Sequence, residues 1–469
     1  MWRMREWLGV LAASCVLGLP GGVFACGGYE SHLVQMAASE DPAESAEAVA
    51  RLRERGPAGL RAMLAVHAGV ASNESSDIDP GLRARVLAAI DAVSGQRDGH
   101  VSRLYWYTDF EAAKRAAAES GKPILSLRLL GKLTDEFSCA NSRFFRTALY
   151  ANEQVSNVLR DRFVLHWESV RPVPRVTIDF GDGRKLERTL TGNSIHYVLD
   201  ADGRPLDALP GLYGPAAFLR GIERGQHLAA LLRKAPASKR EGLHASYHQQ
   251  RHRELTRAFD SDRARIGPRL TPEFKLVEQA GGGPVAALVI GADARIGRNP
   301  PPARRAAAVA VSKSGVELPI LAAAELGGAP EARDAASLTD DDWRLIAALH
   351  AEEAELDERS LALIRRENPT AAEAGRAAES KRRVEDPLVR MIREFESSIA
   401  LDTVRNEYLL HRTIHQWLAE ASDVDVRSLN ERVYAELFLT PNSDPWLGMA
   451  PADTYTALSD AGVVCAAQR

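Results

Sequence analysis

A chain of 469 residues has room for about three domains, and with 45% hydrophobic and 26% charged residues it is composed like an ordinary globular protein, which excludes wholesale disorder. Fifty-nine lysines and arginines against 63 aspartates and glutamates leave a net charge of −4, so nothing in the charge points to nucleic acid as a partner. The 4 cysteines are scattered too widely for a disulfide framework or a four-cysteine zinc site.

Arg3 and Arg5 precede an apolar run from Leu8 to Leu19, which is too short to span a bilayer. Val23-Phe24-Ala25 ahead of Cys26 completes the pattern of a secretory signal peptide over residues 1–25. The run Val23-Phe24-Ala25-Cys26 also resembles a bacterial lipobox, which implies acylation of Cys26 and a membrane tether through it. Ordinary cleavage after Ala25 is the other route. Either way the expected location is the periplasm or outer envelope of a bacterium. No later stretch reaches the ~18 uninterrupted apolar residues of a span.

Residues 26–98 carry a helical pattern. Gly56 is placed to end one helix and Pro57 to open the next, and Arg55 to Leu64 resembles one HEAT-type helical pair. Asn73 to Pro80 is loop-like, and Asn73-Glu74-Ser75 is formally a glycosylation sequon without meaning in bacterial export. A further helix is expected from Gly81 to Val93.

Between residues 99 and 225 the pattern alternates. Phe110 to Glu119 is an amphipathic helix closed by Gly121, followed by a strand at Lys122 to Leu127. Cys139 to Arg160 is helical, and Phe163 to Trp167 is a strand. Gly181-Asp182-Gly183 turns a hairpin between Arg175–Phe180 and Lys185–Leu190, and Asp200 to Gly203 turns another between Ile195–Leu199 and Pro205–Leu209. A helix from Gly214 to Glu223 closes the block, which implies a mixed sheet with helices packed on it.

Residues 226–265 read as a charged helical linker, and 266–469 as a mostly helical domain. In the latter, Gly281 to Pro284 and Asn299 to Pro302 act as breakers. Long helices are expected over Trp343–Arg366 and Pro387–Leu418, and a shorter one over Leu429–Phe438.

The middle block resembles a bacterial exported thioredoxin-like domain. The residues that carry the resemblance are Trp106 to Ala113, Gly121-Lys122-Pro123-Ile124-Leu125, and a cysteine opening the next helix. Asn152 to Val155 and Arg162 to Leu165 match the segment that follows. The resemblance implies an α+β multidomain chain: a thioredoxin-like α/β/α domain flanked by an N-terminal helical region and a mostly α C-terminal region. Two positions depart from the family. Cys139-Ala140-Asn141-Ser142 stands where two cysteines are usual, and Thr191 to Ile195 stands where the family has a cis-proline.

A thiol at a helix N-terminus meets unpaired amides that favour its thiolate. Lys132, Arg143 and Arg146 would help, and Asp135 and Glu136 would oppose them. With serine at position 142, a mixed disulfide on Cys139 has no neighbouring thiol to resolve it. Ser142 could instead hydrogen-bond the sulfur. Three fates stay open for Cys139: a reactive thiol, an inert core residue, or a disulfide with Cys465. His166, Glu168, Arg171, Asn193 and His196 are expected to line a site if they converge on Cys139. The segment Trp167 to Pro174 is expected to be a substrate-facing loop.

His244, His248 and His252 recur every four residues, and so do His411 and His415. Arginines and glutamines around the first set suggest a solvated charged face. Apolar residues around the second suggest ordinary packing; zinc or copper on these imidazoles is the lesser alternative at both, and a metal-binding protein is the third expectation. No motif implies a cofactor; Gly281-Gly282-Gly283-Pro284 lacks the lysine and hydroxyl of a phosphate loop. The leading expectation is one-cysteine thiol-disulfide exchange or isomerase-type activity on envelope proteins, with client thiols or disulfides as partners. The alternative is a non-enzymatic binding or scaffold module in an envelope complex. Oligomeric state is not legible.

Overall fold

The computed structural model describes residues 31–72, 78–189, 192–267, 338–369, 387–421 and 424–444, together with the two-residue strands Leu276–Val277 and Val285–Ala286. The signal segment, Cys26, the sequon and Cys465 lie outside the described residues. The chain divides into two compact units, 1–89 and 90–469.

In the first unit, helices α1 (31–37), α2 (Pro42–Glu54), α3 (Pro57–Val66) and α4 (Ala68–Ser72) precede α5 (Pro80–Ser94), whose last turn belongs to the second unit. Asp41 caps α2 by accepting from the Ala43 amide at 2.8 Å. Gly56 takes φ +60° and Pro57 opens α3, as the sequence suggests. Gly59 lets α3 press on α2, because a Cβ there would lie 2.0 Å from the Leu52 carbonyl oxygen.

The second unit is built on a five-stranded mixed sheet of order β1-β3-β2-β6-β7. Its strands are β1 (Trp106–Tyr107), β2 (Ile124–Leu130), β3 (Val164–Arg171), β6 (Ser194–Leu199) and β7 (Pro205–Pro210); β4 (Arg175–Asp179) and β5 (Lys185–Thr189) form a separate hairpin. β1 and β2 run parallel to β3, and β6 runs antiparallel to both β2 and β7. After the short α6 (Gly99–Ser102) and β1 comes α7 (Phe110–Ser120). Asp109 caps α7 by accepting from the Ala112 amide, and Gly121 ends it at φ +67°. Every residue of β2, β6 and β7 is buried, which makes this sheet the centre of the core. Trp106 and Trp167 are anchored polar end first: their indole N–H groups donate to Gln96 Oε1 at 2.6 Å and the Gly95 carbonyl at 2.7 Å.

The helix expected over 139–160 is three pieces: α8 (Ala140–Phe144), a π-helical turn at Phe145–Leu149, and α9 (Glu153–Arg162), which Asn152 caps. The closing helix is longer than expected, because α10 (Pro215–Lys234) packs Gly221 and Gly225 against Leu209 and Val198 of the sheet. The stretch read as a linker is the end of α10 and most of α11 (Ala237–Ile266), which buries His244, His248, Leu255 and Phe259. Trp343–Arg366 is interrupted: α12 (Asp340–Leu349) and α13 (Glu358–Glu367) flank a 3-10 turn at Ala351–Ala354. From residue 387 one rod runs to 420, as α14 (Pro387–Arg405), a π turn at Asn406–His411 and α15 (Arg412–Glu420). α16 (Val426–Arg432) and a third π turn at Val433–Leu437 end the described helices. No helix among the described residues is long and apolar enough to cross a membrane.

Candidate functional site

Two clusters of chemistry-bearing residues lie in the second unit. The first surrounds Cys139. Beyond β2 the chain loops out and returns, and the Cys139 amide donates to the Leu130 carbonyl at 3.2 Å. Cys139 thereby becomes the N-cap of α8, as the sequence implied. Its thiol donates to Ser142 Oγ at 3.4 Å, while the Ser142 hydroxyl donates to the Cys139 carbonyl at 2.8 Å. The sulfur is 0% exposed. A thiol without surface offers a partner disulfide no line of attack. The arginines expected to assist are otherwise engaged: Arg143 donates to Thr189 Oγ1 at 2.9 Å and Arg146 to the Asp135 carbonyl at 3.1 Å.

The residues expected to line the site have separate partners. His166 is hydrogen-bonded to Ser126 Oγ at 2.9 Å under the Phe110 ring, and burial next to Arg128 pushes it down to about 3. Glu168 pairs with Arg128, a cation on the central strand that burial lowers to about 10. His196 meets the Tyr150 hydroxyl at 2.7 Å, and burial pushes it, too, down to about 3. Trp167 to Arg171 is strand rather than the expected substrate-facing loop, because the segment pairs with β2 up to Arg171, with one bulge at Val170. Arg171 and Asn193 hold the end of the described chain. Arg171 donates to the carbonyls of Thr440 (3.2 Å) and Asp444 (2.9 Å), and Asn193 Nδ2 donates to Thr440 Oγ1 at 2.8 Å. Tyr434 donates to the Asn193 carbonyl at 3.2 Å, and Tyr197 donates to Asn430 Oδ1 at 3.2 Å. Burial and the adjacent Cys139 push the Tyr434 phenol well above its ordinary value.

The second cluster corrects the reading of the histidine stripes. His244 and His248 do not form a solvated face; they are 4% and 0% exposed, as α11 packs beside the rod that carries His411 and His415. The two stripes meet at Asp207 on the edge strand β7. His411 Nε2 donates to Asp207 Oδ1 at 3.0 Å, the Ala208 amide donates to the same oxygen at 2.8 Å, and the Tyr247 hydroxyl donates to Oδ2 at 2.7 Å. His415 Nδ1 faces His248 Nδ1 at 2.7 Å, and His248 Nε2 faces His244 Nε2 at 3.2 Å.

No family model matches this chain, and no match is found among the curated proteins or the solved structures.

Burial pushes His248 down to about 3 and holds His415 and His244 below their ordinary value, so these imidazoles are neutral at physiological pH. Burial opposes ionisation of Asp207, but His415 and His411 beside it outweigh that and keep its carboxyl well below the usual range. A carboxylate facing imidazole nitrogens is a proton-accepting or metal-ligating set. The Asp207, His411 and His415 ligand atoms all lie within 4.8 Å of one another. Asp207 and Tyr247 escaped the sequence reading. The available signal was an aspartate inside Pro205–Leu209, a stretch otherwise fit for a buried strand, where a carboxylate needs partners.

Proposed function

We propose that the chain is an exported protein whose residues 99–225 form a thioredoxin-like domain used as a binding or scaffold module in the bacterial envelope. The fold part of this reading is supported by the strand order β1-β3-β2-β6-β7, with four strands running one way and β6 alone against them, and by the place of Cys139 at the head of the helix after β2. The export part rests on residues 1–25.

The observation that carries the non-enzymatic reading is the burial of the one sulfur that could react there. Asn193, in the stretch that stands for the family's cis-proline, uses its amide on Thr440 and its carbonyl on Tyr434. The chain's own segment 424–444 thus takes the face that a redox client would need.

One-cysteine exchange is the second reading, favoured by the N-cap position of Cys139 and by its Ser142 contact. In it the Cys139 thiolate attacks a client disulfide, forms a mixed disulfide and releases the client's other sulfur as thiolate, and an external thiol completes the exchange. This requires segment 424–444 to lift.

Alkylation of the native full chain with iodoacetamide, followed by peptide mapping, separates the two. The scaffold reading expects Cys139 to react only in denaturant. Reaction in the native protein, with mixed disulfides trapped by wild type and absent from Cys139→Ser, would overturn it in favour of exchange.

A further inference from the structure

The geometry points to a buried divalent transition-metal site, zinc foremost, with Asp207 Oδ1, His411 Nε2 and His415 Nε2 as its protein ligands. This goes beyond the scaffold reading and does not depend on it. The three residues come from two distant parts of the chain, an edge strand and a helical rod, and their exposures are 1%, 4% and 0%. Imidazole nitrogens with one carboxylate oxygen suit zinc and its neighbours, whereas magnesium and calcium take oxygen ligands.

The spacing fits. Ligands about 2.1 Å from a tetrahedral metal lie about 3.4 Å apart. Asp207 Oδ1 is 3.0 Å from His411 Nε2 and 4.0 Å from His415 Nε2, values that bracket this separation. All three ligand atoms lie within 4.8 Å of one another, so side-chain adjustment would draw them onto one ion, with the ion taking the place of the proton between His411 and Asp207. Three protein ligands leave one position for water or a small ligand.

Orphaned atoms give an independent indication. His415 Nε2 is buried, has no hydrogen-bond partner and faces the carboxylate without bonding it; His411 Nδ1 and His244 Nδ1 are also buried without partners. A buried polar atom without a partner is costly, and a bound ion would satisfy the first of these. Each imidazole–imidazole contact holds one proton. With that proton on His415 Nδ1, directed at His248, His415 Nε2 is a bare acceptor aimed at Asp207. Tyr247 fixes Asp207 through Oδ2 and His248 fixes His415 through Nδ1, which are the outer-shell roles that orient metal ligands. His244, at the far end of the imidazole chain, lines a cavity of about 770 Å³ together with Asp200, Arg204 and Glu241.

The test uses the full chain without a tag, stripped by a chelator and titrated with cobalt chloride and then zinc chloride. One cobalt ion should bind per chain with the visible absorption of a four-coordinate site, and one equivalent of zinc should displace it. His415→Gln and His411→Gln should abolish the band. Tyr247→Phe, which keeps the ring and removes only the hydrogen bond to Asp207, should weaken binding about 10–100-fold. His227→Gln, at an exposed position of α10, should bind as wild type does. A stripped wild type that is folded by circular dichroism and shows no saturable cobalt band overturns the proposal, as does unchanged affinity in Tyr247→Phe. The second outcome stays readable even if the histidine variants fail to fold.

Discussion

Tyr434 donates its hydroxyl to the carbonyl of Asn193 at 3.2 Å across 241 residues of sequence, and in doing so ties the last helical turn to the strand entry beside Cys139. Tyr434→Phe removes this bond from a buried carbonyl at a cost of about 1 kcal/mol. Urea denaturation should show a lower midpoint. Alkylation of Cys139 in the native protein should be faster than in wild type, and an unchanged rate would mean that Tyr434 is no part of the cover.

Asp207 collects three donors in the core, so Asp207→Ala leaves His411, Tyr247 and the Ala208 amide without their acceptor. In metal-free protein the expected loss is on the order of 3 kcal/mol by denaturant unfolding. Combined with Tyr247→Phe it should cost less than the sum of the single changes, because both act on one hydrogen bond. Strict additivity would show that the pair is not coupled.

His350 sits between two carboxylates, 3.3 Å from Glu353 Oε1 and 2.7 Å from Asp262 Oδ2. The Glu353 bond, with Asp262, outweighs desolvation and raises it from 6.5 to about 9. The folded state therefore binds this proton more tightly than the unfolded chain does. The stabilisation is complete below about pH 6.5 and is lost as the pH rises through about 9. Urea midpoints should fall between these values, and His350→Gln should flatten that fall.

The acid side has the opposite sign. Burial holds His166, His196 and His248 at about 3 in the folded protein, well below their 6.5 in an unfolded chain. Stability from keeping them neutral is full above about pH 6.5 and declines as the pH falls toward 3, because unfolding takes up protons. Thermal melts at pH 7, 5 and 4 (roughly the span of that titration) should shift steadily downward. His196→Gln should reduce the shift.

Two helical glycines should respond to alanine in opposite directions. At Gly225 a Cβ would lie 2.8 Å from Val198 Cγ2 and 3.0 Å from Val198 Cβ, so overpacking of about 1–3 kcal/mol outweighs the gain in helix propensity. Gly242 on α11 has nothing within 4 Å of the same position, and alanine there should stabilise by up to about 1 kcal/mol. Thermal melts of the two variants should move apart.

Local chemistry was readable without a fold. The amphipathic run from Phe110 marks a helix, Gly121 its end, and Gly181-Asp182-Gly183 a hairpin, because each acts within a few residues through torsions and nearby amides. The position of Cys139 as an N-cap was legible in the same way. Three features were not. Trp167 to Arg171 looks too polar for a strand, yet it pairs with β2, whose buried Arg128 meets Glu168. Ser169 and Arg171 are satisfied partly by backbone carbonyls, Arg171 by those more than 260 residues away. The helix beginning at Pro215 runs on to Lys234 because the sheet beneath it accepts its glycines. The three π turns leave no mark in the composition of their segments.

The histidines divide the two kinds of information most clearly. Spacing alone determined that His244 and His248 share one helical face and that His411 and His415 share another, since 3.6 residues make a turn. Only the tertiary structure decided that those faces point at each other and at Asp207, and that Cys139 lies sealed rather than open. Periodicity is set by bonds within a few residues. Burial is set by which surfaces of the whole chain come together to exclude water, and His248 and His415 are 167 residues apart before they meet.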